Sequence, residues 1–187
     1  MKADFAVVLD ACVLANISVC DLLLRLAETP RLYLPYWSEI ILDETQRAHA
    51  KFGWEIRISD RWRAMVTKHF PDSSAVSLNL AVCPDGVDPK DAHVVQAALR
   101  VGAEVIVTFN LKDFPSESLE PARIKAVHPS EFLLTLFAIA PMLVARRINE
   151  IAEARKESVS AVLKRLSRHV PAFVDHFATS AGIGLDE

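Results

Sequence analysis

Four short acidic motifs are spread along this 187-residue chain: V-V-L-D ending at Asp10, I-L-D-E ending at Glu44, D-P-K-D ending at Asp91 and T-F-N-L-K-D-F around Asp113. Asp10 and Asp113 come just after apolar, strand-like runs. In an open parallel sheet such positions lie beyond the carboxyl ends of strands, where ligands bind. Carboxylates gathered there repel one another unless a cation joins them. The chemistry that suits the pattern is a divalent-metal site, and with it hydrolysis of a phosphodiester. A hard cation such as Mg²⁺ or Mn²⁺ takes oxygen ligands and keeps several waters. One or two such ions can activate a water and stabilise the oxygens of an in-line displacement. No cluster of His and Cys competes as a zinc site.

Each acidic residue also has a purely structural reading. Asp10 could cap the helix that follows its strand. Glu44 could be an exposed helical glutamate, and Asp43 is its rival. The two point about 100° apart on a helix, so one of them faces the site. Asp91 is expected in the first turn of its helix, a position favourable to a carboxylate with or without catalysis. Asp88 reads as the cap of that helix. Asp113 could be a turn aspartate. Asn110, in the same turn, can orient a water or a carboxylate, or merely tolerate a bend. His93 lies two positions after Asp91, need not share its face, and is expected to pack or meet solvent.

The elements that must position these residues alternate. Residues 4–9 read as a buried strand, 13–26 as a helix, and R-L-Y-L-P-Y as a short second strand. Ser38 looks like the N-cap of a helix running to Phe52 and carrying Glu44. Residues 59–70 suggest another helix, capped by Ser59 or Asp60. The run V-S-L-N-L-A-V is a strand or a helical turn. Asp88, Pro89 and Gly102 bound a further helix. Residues 104–108 form a continuous apolar strand, 123–127 another, and Pro129-Ser130 begins a helix. The alternation predicts an α/β fold around a mostly parallel sheet. From residue 136 only helical spacing remains. The expected organisation is therefore a core over 1–135 and a C-terminal helical extension over 136–187.

Composition narrows the function classes. Apolar residues make up 51% of the chain, which excludes a disordered protein, and the five glycines form no phosphate-cradling loop. Net charge is −3, yet residues 142–169 hold seven basic and three acidic side chains. That basic segment could attract nucleic acid or could be a solvated helix face. The three cysteines form no C-x-x-C pair, which fits a reducing cytoplasm. The apolar runs at the N-terminus and at 133–145 are too short to span a membrane, so no membrane association is expected.

At V-V-L-D-A-C-V-L, S-E-I-I-L-D-E-T, D-P-K-D-A-H-V-V-Q-A-A-L and G-A-E-V-I-V-T-F-N-L-K-D-F-P the sequence resembles PIN-domain ribonucleases of the kind found as VapC-type toxins. The resemblance spans residues 7–115. It implies a three-layer α/β/α sandwich and a Mg²⁺- or Mn²⁺-dependent endoribonuclease acting on RNA. It also implies a homodimer inhibited by a cognate antitoxin. The family's acidic residues carry over to Asp10, Glu44, Asp91 and Asp113, with Asp10, Asp91 and Asp113 as metal ligands and Asn110 as an accessory position. Cys12 departs from the family, which more often has a small polar residue there to orient the first aspartate. A cysteine is expected to weaken that bond. It also argues against a haloacid dehalogenase-type phosphatase, which needs an Asp at that position. A metal- or RNA-binding protein without nuclease activity is the other reading. Arg146, Arg147, Arg155, Lys164, Arg165 and Arg168 could guide RNA. Trp37, Trp54 and Trp62 could line an antitoxin groove or pack in the core.

Overall fold

The structure, a computed structural model, describes residues 5–75 and 84–184. Val7, Val8 and Leu9 are fully buried and form β1 (Ala6–Leu9). Apolar on both faces, this strand suits the middle of a parallel sheet. It pairs in parallel with β2 (Leu34–Tyr36) on one side and β3 (Val105–Val107) on the other. β4 (Lys125–Val127) pairs in parallel with β3, giving among the described residues the four-stranded order β2-β1-β3-β4. Pro35 has no amide hydrogen and sits in the edge strand β2, where that is tolerated. The order reverses direction between β1 and β3, so a ligand crevice is expected at their carboxyl ends.

The chain divides into two compact units. The described residues of the first are 5–15, 33–75 and 84–128, and this unit holds all four described strands. α1 (Ala11–Leu14) follows β1 directly and packs on α3 (Glu39–Lys51). α5 (Ala92–Val101) covers β1, β2 and β3, and α6 (Ser116–Leu119) covers β4. Buried Val94, Val95 and Ala98 supply the face that α5 lays on the sheet.

The second unit is helical and takes its described residues from 16–32 and 129–184. α2 (Ile17–Ala27) packs on α8 (Pro141–Arg155) and α9 (Val159–Leu166), while α7 (Pro129–Ile139) packs on α8 and α10 (Pro171–Ala181). Buried Arg147 ties α8 to the end of α2, donating to Glu150 and to the carbonyls of Glu28 and Thr29. Arg146 pairs with Glu150, Arg155 with Asp21 and Arg165 with Glu157. Four of the six cations singled out for RNA are thus committed to carboxylates within their own unit.

Several boundaries differ from expectation for identifiable reasons. The predicted helix over 13–26 breaks into α1 and α2, because Asn16 turns out of the helix and caps Val19 N. α4 (Ile56–His69) starts after Glu55 rather than at Ser59 or Asp60. Those two side chains have tertiary partners instead, His49 for Ser59 and Gln46 for Asp60. α5 starts at Ala92 rather than after Asp88, whose carboxylate caps Lys90 N in a preceding turn. Gly102 closes α5 with φ +65°, the left-handed conformation that favours glycine there. The V-S-L-N-L-A-V run lies outside the described residues.

α3 and α4 are held together by Arg63, which binds Glu39 and Asp43, each at 2.6 Å. Behind this pair His49 is fully buried, stacked 4.0 Å from Trp54 and edge-on to Trp62. Trp37 and Trp62 are likewise buried. Nδ1 of His49 meets Ser59 at 3.0 Å, and among the described residues Nε2 finds no partner. Burial therefore pushes this ring below its ordinary value of 6.5 and keeps it neutral in the fold. In the unfolded chain the ring takes up a proton as pH falls below about 6.5, so folding stability drops over that window. Urea unfolding at pH 7.5 and 5.5 checks this: wild type loses stability at the lower pH, and His49→Phe loses less.

Candidate acidic site at the strand ends

Asp10 is the first residue past β1, and its amide donates to Val107 O of β3 at 3.1 Å. The parallel register thereby sets Asp10 beside Thr108, the first residue past β3. The Asp10 carboxylate is buried, and both of its oxygens are hydrogen-bonded. Oδ1 accepts from Ala11 N at 2.6 Å, and Oδ2 accepts from the Thr108 hydroxyl at 2.7 Å and the Cys12 thiol at 3.1 Å. Asp10 is therefore a helix cap and a fixed anion at the crevice together.

Cys12 stays protonated: burial, and then the charge of Asp10, push its thiol up to about 12. It can thus donate to Asp10 while Sγ accepts from Phe109 N at 3.3 Å. Thr108 supplies the shorter bond, so the weakness expected of a cysteine here is offset. The role of Thr108 escaped the sequence reading, although its place at the end of the strand-like run 104–108 was a usable signal. Asn110 is exposed and reaches the network through its backbone, donating N–H to Thr108 Oγ1 at 3.0 Å.

The other three carboxylates come from different elements of the same unit. Glu44 lies on the side of α3 that packs on α5, and Asp43 turns away to Arg63. Glu44 meets His93 Nε2 at 3.1 Å, so His93 shares the acidic crevice rather than facing away from it. Asp91 is itself the N-cap of α5, but its side chain caps nothing. It is left for the site, while Asp88 holds the turn. Asp113 ends a 3₁₀ turn, Leu111–Asp113, and is half-buried.

Asp91 shows how these groups meet. Its carboxyl is raised above the ordinary carboxylate range, first by burial and then by the charges of Asp113, Asp10, Asp88 and Glu44. The sheet and the α3–α5 packing thus bring Asp10, Glu44 and Asp113 each within electrostatic reach of Asp91. Among the described residues, no three His, Cys, Asp or Glu side chains close into a group able to hold a metal ion by themselves. The donor set is nonetheless of one kind, carboxylate oxygen, and its negative charges repel one another at Asp91. That chemistry fits a hard divalent cation that retains part of its water shell and does not fit a soft one.

A family model described as PIN domain matches residues 4–112. The chain belongs to the PIN-domain family. Its parallel sheet and helices form the α/β sandwich of that family, with additional C-terminal helices. A Mycobacterium tuberculosis protein named "Putative ribonuclease VapC50" is 62% identical over 45 residues, which are 24% of this chain and 27% of that protein. The match thus spans about a quarter of the relative's length. No solved structure matches the chain. Among the described residues no helix of this PIN-domain chain is long and apolar enough to cross a membrane.

The network predicts an order of effects on stability. Thr108→Val keeps the side chain's shape but removes a donor from a buried carboxylate, which costs about 1–3 kcal/mol. Cys12→Ala removes a longer, weaker bond and costs less. Urea unfolding of the two variants beside wild type checks the ranking.

Proposed function

We propose that this chain is a Mg²⁺- or Mn²⁺-dependent endoribonuclease and the toxin of a toxin–antitoxin pair. The observation that carries the reading is the convergence of carboxylates from separate elements: Asp10 just past β1, Asp91 at the start of α5, which packs on β1 and β3, and Glu44 on α3, which packs on α5, with the charge of Asp113 also acting on Asp91. The family and the name of the mycobacterial relative support it. On this reading Asp10, Asp91 and Asp113 hold the cation, directly or through waters. Glu44 completes the set and positions the attacking water. A bound divalent cation would supply activation of that water and stabilisation of the charge developing on the phosphate.

The chain's own residues supply geometry. Thr108, Cys12 and Ala11 N fix both oxygens of Asp10, so this anion is aimed before any ligand arrives. Asp91 stands at a helix N-terminus, whose partial positive charge offsets part of the local repulsion. Asn110 is an accessory polar position at the mouth. The substrate is RNA, the inhibitor a cognate antitoxin, the working form a homodimer and the compartment the cytoplasm.

Asp10→Asn and Asp91→Asn each lower RNA cleavage on the order of 10²-fold or more, and each removes growth inhibition on expression. Excess chelator abolishes wild-type cleavage, and added Mn²⁺ restores it. Full cleavage by either variant, or in chelator, contradicts the reading. Retained Mn²⁺ binding with no cleavage of any RNA identifies a binding protein instead.

Stability responds in the opposite sense. A carboxyl raised in the fold binds its proton more tightly there than in the unfolded chain. The metal-free protein therefore loses stability as pH climbs from the ordinary value of 3.8 through the raised one. The Asp91 side chain makes no capping bond, so Asp91→Asn removes the repelled charge without losing one and raises the unfolding temperature at neutral pH in chelator. Differential scanning fluorimetry reads the shift.

A further inference from the structure

His93 bonds at both ends. Nδ1 lies 2.7 Å from Lys90 O, and a carbonyl oxygen only accepts, so Nδ1 donates. Nε2 lies 3.1 Å from Glu44 Oε2. The ring is largely covered, its side chain 12% exposed against 31% for Glu44. It therefore forms a strut from the turn that precedes Asp91 to the carboxylate on α3. The competing partner of Glu44 is Arg47, 3.5 Å away and 64% exposed. A solvated, flexible arginine at that distance restrains little. Without His93, Glu44 has no fixed contact with α5 among the described residues and is free to swing toward Arg47.

We propose that His93 is a positioning residue that fixes Glu44 within the acidic site, acting through Glu44 and touching neither cation nor RNA. This inference rests on the nuclease reading for its effect on cleavage, but not for the strut itself. A bond from a rigid ring at the base of α5 sets both the direction and the distance of a side chain that otherwise has three rotatable bonds. Ring and carboxylate come from sequence positions 49 apart, so the strut also joins α3 to α5.

The test is a double-mutant cycle on the full chain with His93→Ala, Glu44→Ala and the pair, together with His93→Gln, whose amide reaches Glu44 as Nε2 does. Cleavage is measured on a fluorogenic RNA at saturating Mn²⁺, and unfolding temperature in chelator. His93→Ala is expected to lower kcat on the order of 10-fold or more with KM unchanged. His93→Gln recovers most of the loss, and the double variant is no slower than Glu44→Ala alone. Unfolding shifts in the double variant are smaller than the sum of the single ones. Multiplying losses, a change confined to KM, or additive unfolding shifts would overturn the proposal. Should wild type cleave no RNA in Mn²⁺, the nuclease reading fails by itself, and the unfolding cycle still decides whether His93 holds Glu44.

Discussion

Like-charge repulsion around Asp91 is the constraint on which the rest of this structure turns. Burial raises that carboxyl first, and four other acidic side chains raise it further. Such a cluster opposes folding in the absence of a cation. The chain counters it with fixed dipoles and bonds. Asp10 is held by a backbone amide, a hydroxyl and a thiol. Asp91 meets the positive end of α5, and Glu44 meets His93. Each compensation is local, and each fixes the direction in which a carboxylate points. Stability given up at such a site is a familiar cost of function.

The sheet makes the cluster possible. Placing β1 between β2 and β3 sets the two strands that bear Asp10 and Thr108 side by side. A parallel pairing brings both carboxyl ends to the same edge, and the first residue past each meets the other at 2.7 Å. α5 lies on this sheet and carries Asp91 at its start, while α3 packs on α5 and brings Glu44. Three unrelated stretches of sequence thus meet through ordinary packing of Val, Leu and Ala faces. The helical unit is stabilised differently, with Arg147, Arg155 and Arg165 drawn into ion pairs and carbonyl contacts.

What could be read from the residues was what depends on local pattern. Buried strands announced themselves by continuous apolar runs, and Ser38 and Gly102 by their capping chemistry. The α/β class followed from their alternation, and the family from four acidic motifs. Tertiary choices were hidden. Ser59 and Asp60 looked like caps because nothing local reveals that His49 and Gln46 claim them. Asp88 and Asp91 competed for one cap, and the turn at Lys90 divided their roles. The basic segment from 142 to 169 looked available to RNA. Its partners Asp21, Glu150 and Glu157 are assigned by packing as much as by proximity in sequence. His93 was passed over because helical spacing alone says nothing about a neighbouring helix.

The gathering of carboxylates as a cation site is tested most directly by anomalous diffraction from crystals of this protein equilibrated with Mn²⁺. The expected result is a manganese peak within direct or water-bridged reach of Asp10, Asp91 and Asp113, absent from crystals of Asp91→Asn. A peak elsewhere, or no peak at Mn²⁺ concentrations that support RNA cleavage, would contradict it.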